Sequence, residues 1–221
     1  MGDFCIALCG SNGCIFVVNK HSKIEEEWDD FDSDVLLLEV IKSNLKIPNK
    51  IRKCELKSSI NNKSEVIITY GNTDERKLIF GTIIDEKRSY LLSFYKPMPL
   101  HILSNRVSDL MRKMASSNPE VILASWTNDN HCELYSISAN GESNKCFGCV
   151  IGHQKENIKE ALLKLDFRVL NVRQLLTAVV KLALEFCDEE DDLQLSWICD
   201  ETNGEHQICD QKLVDNVMKC I

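Results

Sequence analysis

The spacing of apolar positions changes several times along this chain, and each change marks a different kind of element. Phe4–Leu8 and Cys14–Val18 are short apolar runs joined by Gly10-Ser11-Asn12-Gly13, which predicts a hairpin with a polar turn. Glu65–Gly71 reads as a further strand ending at a turn. The period then becomes helical. Phe80, Ile84, Leu91 and Tyr95 recur at 3.6-residue spacing within 73–95, with Asp74 and Glu75 in the first turn, where carboxylates suit the helix dipole. Pro97 and Pro99 stop that helix, and a second over 99–115 presents Leu100, Leu103, Val107, Leu110 and Met114 as one stripe. Three strand-like runs follow: Val121–Trp126, Cys132–Ile137 and residues 145–150, separated by Asn128-Asp129-Asn130 and Asn140-Gly141. Helices are then predicted over 154–165 and 171–187. After them comes a hairpin over Leu193–Ile208, in which Leu193, Leu195, Trp197 and Cys199 alternate onto one buried face. Asn203 and Gly204 supply its turn because both tolerate positive φ at low steric cost. A short helix starts at Asp210, with Leu213, Val217 and Ile221 on one side.

Paired helices alternating with blocks of antiparallel strands cannot build a parallel βαβ sheet. They suit an α+β fold of two stacked sheets covered by helices on both outer faces, each element burying one side. The chain carries no internal repeat and no linker-like stretch, so residues 1–221 are expected to form one domain. The exception to the clear patterning is an insertion-like segment at about 24–62. It opens with Glu25–Asp34, seven carboxylates in ten residues around Trp28 and Phe31, which reads as a solvated loop because packed like charges repel. The acidic run Asp188–Asp192 reads the same way.

Composition narrows the function classes. A formal charge of −8 argues against general nucleic-acid or anionic-membrane binding. Apolar stretches such as Cys14–Val18 and Val35–Leu38 fall far short of the ~20 residues that a bilayer requires. No secretory leader is read. The 11 cysteines look suggestive, yet Cys5, Cys9, Cys14, Cys132, Cys149, Cys187 and Cys199 stand among apolar neighbours, where free cysteine acts as a small hydrophobe in a reducing compartment. Cys146-Phe147-Gly148-Cys149 is the one CxxC, and zinc needs four ligands with no second pair suitably spaced, so neither a metal nor a cofactor is expected. His21, His101, His131, His153 and His206 are scattered without a Cys or Asp partner at catalytic or ligand spacing.

The string LQLSWICDETNGEHQI (Leu193–Ile208) closely resembles the last hairpin of α-type subunits of the 20S proteasome, nearest to the third type. Two further segments agree. Phe147-Gly148-Cys149-Val150-Ile151-Gly152 resembles the family's glycine–cysteine step into the third helix, and Tyr95–Val107 resembles the loop into the second, including Pro99-Leu100 and Asn105-Arg106-Val107. The resemblance runs from about residue 63 to the end, is fair over 4–20 and is absent over 24–56. It implies the four-layer αββα sandwich of the N-terminal-nucleophile hydrolases. Relatives begin with a gate segment and a helix, whereas this sequence starts at its first strand, Gly2–Leu8, so the expectation is either a sequence incomplete at its N-terminus or a subunit without a gate tail. In the second case a gate short of one tail is expected to close less tightly.

Sibling β subunits cleave peptide bonds with an N-terminal Thr, whose own free amine serves as base. Matching the first hairpin to that pattern puts Asp3 at the nucleophile position and Asn19 where an orienting Asp belongs, so the resemblance implies a non-catalytic chain. Its implied work is structural: a place in the α ring of the core particle among other α-type and β-type subunits, substrate-entry gating, and docking of proteasome activators or the regulatory particle in ubiquitin-dependent degradation. The first two helices correspond to the family's contact region with the β ring, here carrying Ile79, Ile83, Arg88 and Arg106. Counting back from Gly71 puts Lys57 at the lysine of the pocket that receives activator tails, with Gly71 allowing close backbone approach. Cytoplasm and nucleus are the expected compartments. A non-catalytic β-type subunit and a stand-alone hydrolase of the same fold are the competing readings.

Overall fold

Two five-stranded antiparallel sheets organise the computed structural model, which describes residues 2–21, 35–39, 64–114, 118–127, 132–187 and 191–219. The chain runs β1 (Phe4–Gly10), β2 (Gly13–His21), β3 (Val35–Glu39), β4 (Glu65–Gly71), α1 (Thr73–Phe94), α2 (Leu100–Lys113), β5 (Glu120–Trp126), β6 (Cys132–Ile137), β7 (Ser143–Cys146), β8 (Gly148–Gly152), α3 (Lys155–Leu162), α4 (Val172–Leu184), β9 (Asp191–Cys199), β10 (Gln207–Ile208) and α5 (Gln211–Lys219). The first sheet has the order β10-β9-β2-β1-β8 and the second β3-β4-β5-β6-β7. Of the insertion-like stretch at 24–62, only Val35–Glu39 is described; it pairs with β4, Val35 opposite Gly71. The rest of that stretch, including the acidic run, lies outside the described residues.

Alternate side chains on a strand point to opposite faces, and in β1, β2, β4 and β5 both faces are largely buried, which is why these strands carry near-continuous apolar runs. Phe4, Ile6, Leu8, Ile15, Val17, Leu195 and Trp197 turn one face of the first sheet to α3, α4 and α5, meeting Ile158, Leu162, Leu176, Val179 and Val217. Its other face, with Ala7, Phe16, Val18 and Ile198, shares a second cluster with Val66, Ile68, Ile122, Ala124 and Leu134 of the second sheet. The far face of that sheet packs Ile67, Val121, Leu123 and Ile137 against Ile79 and Ile83 of α1 and Leu103, Val107 and Met111 of α2.

Local chemistry sets the element ends. Asn72 Oδ1 accepts from the Glu75 amide at 3.0 Å to start α1, and Tyr95 closes it in the left-handed region at φ 54°. Asn171 and Gln174 form a reciprocal capping box on α4. The Val172 amide of the same helix donates to Asn12 Oδ1 at 2.9 Å, which ties α4 to the β1–β2 turn. In the last hairpin Asn203 and Gly204 adopt φ 53° and 71°, as their residue types predict.

Two readings of the sequence are corrected. The buried face of α1 is Arg76, Ile79, Ile83 and Lys87; Phe80 and Ile84 are only half-buried, and Tyr95 is 91% exposed. The apolar spacing misplaced this face because two charged residues belong to it. The run at residues 145–150 is two strands, not one. Phe147 lies between β7 of the second sheet and β8 of the first, its ring exposed and its carbonyl accepting from the Cys9 amide at 2.7 Å. Gly148 follows where a Cβ would stand 2.7 Å from Leu8 Cδ2, so the crossing needs glycine.

Candidate functional site

The first strand begins beside β8. Phe4 pairs with Asn19 across the hairpin and with Gly152 on the other side, and the His153 amide donates to the Asp3 carbonyl at 2.8 Å. Gly152, at φ 96°, leaves no space for a side chain, since a Cβ would approach Asp3 O to 2.5 Å. Asp3 and Asn19 are both buried. The side chains at this end of the hairpin, Asp3 and Asn19, are a carboxylate and an amide, neither of which is the hydroxyl or thiol that N-terminal nucleophilic catalysis uses.

Next to this end lies a cavity of about 680 Å³, lined in part by Tyr70, Met111, Glu120, Asn140, Gly152 and Lys155. Glu120 is its buried acid. It receives the Gly152 amide at 3.1 Å and pairs with Lys155, so β5, β8 and the start of α3 are locked together. Nothing in the chain's apolar spacing singled out Glu120 or Lys155; their meeting depends on the packing of β5 beside β8.

Gly71 ends β4 at φ 137°, where a Cβ would stand 3.2 Å from Pro119 Cα. A backbone held this closely needs glycine for the fold itself. Lys57, its expected partner in an activator pocket, lies outside the described residues.

The four contact residues expected on the first two helices divide in two. Ile79 and Ile83 are 0% and 1% exposed and belong to the core between α1, α2 and the second sheet. Arg88 and Arg106 project outward, beside Asp85 at 3.7 Å and Glu86 at 3.9 Å respectively. The same region displays an apolar end that the sequence reading missed. Leu92, Phe94 and Tyr95 are 69%, 58% and 91% exposed at the close of α1.

Other chemistry-bearing residues serve packing. His206 lies edge-on to Phe16, with centroids 5.9 Å apart, while His101 and His153 are exposed. Burial pushes the Cys5 thiol far up and the Cys209 thiol to about 12, leaving both protonated. In the CxxC, the Cys149 thiol hydrogen-bonds to Cys146, which raises Cys149 and lowers Cys146.

Comparison with known proteins points in one direction. The family model described as "Proteasome subunit" matches residues 57–196. The proteasome subunit alpha type-3 of Spinacia oleracea is 27% identical over 190 residues, covering 81% of this chain and 73% of that protein. The protein of the same name from Oryza sativa subsp. japonica is 31% identical over 132 residues, 55% of this chain and 53% of its own length. That from Arabidopsis thaliana is 26% identical over 178 residues, 76% of this chain and 70% of its own.

Proposed function

This chain belongs to the proteasome subunit family, and on that premise we propose that it is a non-catalytic α-type subunit, of the third type, in the α ring of a 20S core particle. The α type-3 names of its relatives carry the reading. The two sheets and their flanking helices are then the αββα sandwich of the N-terminal-nucleophile hydrolases, and residues 1–221 one domain with an insertion at about 24–62. Asp3 at the head of β1 supports the absence of peptidase activity, because a carboxylate there cannot be the hydroxyl or thiol nucleophile. The exposed Leu92, Phe94 and Tyr95 support a partner surface at the end of α1, where apolar side chains standing in water favour association.

Within the ring the chain would contact other α-type and β-type subunits through α1 and α2, using Arg88 and Arg106 at the rim of that surface. It would contribute to gating and to activator docking, with Lys57 and Gly71 forming its wall of a pocket for an activator's C-terminal tail. Such a particle acts in ubiquitin-dependent protein degradation in cytoplasm and nucleus.

Native purification through a tag after Ile221, followed by mass spectrometry of the intact complex, tests the assignment. Stoichiometric recovery of α- and β-type partners is the expected result. Recovery of a lone 25.2 kDa chain, especially one labelled by a covalent probe of N-terminal nucleophiles, would overturn it in favour of a stand-alone hydrolase.

A further inference from the structure

Three cysteine sulfurs from two sheets meet where β1 turns into β2. Cys9 and Cys14 face each other across the hairpin, and Cys132 reaches them from the start of β6 in the second sheet. The three Sγ atoms all lie within 4.8 Å of one another, with Cys9 and Cys14 3.1 Å apart. Cys9 and Cys14 are buried and Cys132 is half-buried. Among the described residues, no imidazole or carboxylate joins the set.

The backbone explains the convergence. The Cys9 amide donates to Phe147 O of the neighbouring connection, away from β2, so Cys9 and Cys14 form a non-hydrogen-bonded pair, the kind that brings opposing side chains closest. Both point toward the cluster shared by the two sheets, against which Cys132 also packs. The ligating atoms therefore sit on strands whose registers are set by the core rather than on a loop.

Two chemistries suit close thiols: a disulfide, which uses two, and a soft metal ion, which uses more. Cys132 decides between them, since a Cys9–Cys14 disulfide would leave the third thiol without a part. Three sulfurs about 2.3 Å from a central ion stand about 4 Å apart, within the spread seen here once the Cys9–Cys14 edge opens slightly. Zinc in closed protein sites takes four ligands, and a harder ion would prefer oxygen or nitrogen donors. We propose that Cys9, Cys14 and Cys132 form a three-sulfur site for a soft d10 cation, cuprous copper, which fastens the two sheets together at this end.

On binding, each coordinating sulfur exchanges its S–H bond for an S–Cu bond and its proton passes to solvent; copper stays in the +1 state and no electron is transferred.

The test uses the 221-residue chain, reduced and kept anaerobic, titrated with copper(I) held by a chromophoric chelator. The expected result is removal of one equivalent of copper from the chelate per chain. Cys14→Ser and Cys132→Ser should each weaken uptake by about a hundredfold or more, because even partners outside the coordination shell are worth about 10–100-fold. Cys187→Ser, on the far side of the first sheet, should leave uptake unchanged. X-ray absorption of the copper-loaded, unsubstituted chain should show three sulfur neighbours at about 2.3 Å, and it decides the matter even where a serine variant does not fold. Undiminished uptake by a folded Cys132→Ser variant, two-sulfur coordination, or zinc held where copper is refused would each overturn the proposal.

Discussion

At the scale of single residues, the last hairpin shows how little freedom a recognisable string leaves. Thr202 Oγ1 accepts from the Cys199 amide at 3.1 Å and donates to the Cys199 carbonyl at 3.0 Å, closing the turn from inside. Gly204 stands at φ 71°, and a Cβ on it would fall 2.2 Å from Cδ1 of Trp126, a residue of the other sheet. The glycine therefore answers to two constraints, a left-handed backbone and an aromatic ring in contact with it. Gly204→Ala is expected to destabilise the fold by about 2–4 kcal/mol, from backbone strain together with displacement of Trp126. Urea denaturation measures this directly. A loss below about 0.5 kcal/mol would show that the ring yields freely and that backbone strain is small.

At the scale of elements, the joints between helices and sheets carry charge in unequal settings. Lys87 of α1 and Glu65 of β4 form an ion pair with side chains only 8% and 10% exposed. Removing one partner strands the other charge in the core, so Lys87→Met and Glu65→Leu are each expected to cost about 3–5 kcal/mol, while the double variant recovers most of the loss. A double-mutant cycle by denaturant unfolding tests this, and additive losses would contradict it. The second joint is at the surface, where Arg173 of α4 grips Glu201 after β9 through two bonds of 2.8 and 2.6 Å. Hydrogen bonding to Arg173 lowers the Glu201 carboxyl below its ordinary value. A depressed acid contributes stability above its unfolded value and loses it as pH falls through its folded one. Arg173→Ala should thus return the Glu201 titration, followed by carboxyl NMR, toward the ordinary carboxylate range. Because the pair is exposed, its loss at neutral pH should cost less than about 1 kcal/mol.

At the scale of the whole molecule, the core and the proposed partner surface make separable predictions. Arg88 and Arg106 are exposed and only loosely paired, so Arg88→Glu with Arg106→Glu should leave the unfolding free energy within about 0.5 kcal/mol. The same double variant should lower recovery of the chain in the large particle, read by native gel and quantitative mass spectrometry. Ile79→Ala should do the reverse in kind: a loss of about 2–5 kcal/mol in stability, with recovery falling only as folded chain is lost. Full recovery of the arginine variant in the particle would remove these two residues from the interface.

Periodicity and turn chemistry made much of this fold legible. The hairpins at either end, the two long helices before β5 and the order of strands and helices follow from apolar spacing, prolines and Asn-Gly turns, because each is a local preference of a few neighbouring residues. Membership of the family was readable from the resemblance of the hairpin string to known subunits, whereas its turn chemistry alone specifies only a hairpin. What spacing could not provide was every feature requiring two distant elements to meet. The face of α1 was misread because Arg76 and Lys87 are buried, and Lys87 is held there by Glu65 of β4. Phe147 divides one apolar run between two sheets because Gly148 fits against Leu8. Cys9 and Cys132 stand far apart in sequence and carry no ligand spacing, yet the stacking of β1 and β2 on β6 brings their sulfurs together. A local pattern can specify which way a strand's side chains alternate; only the packed sheets determine what those side chains encounter.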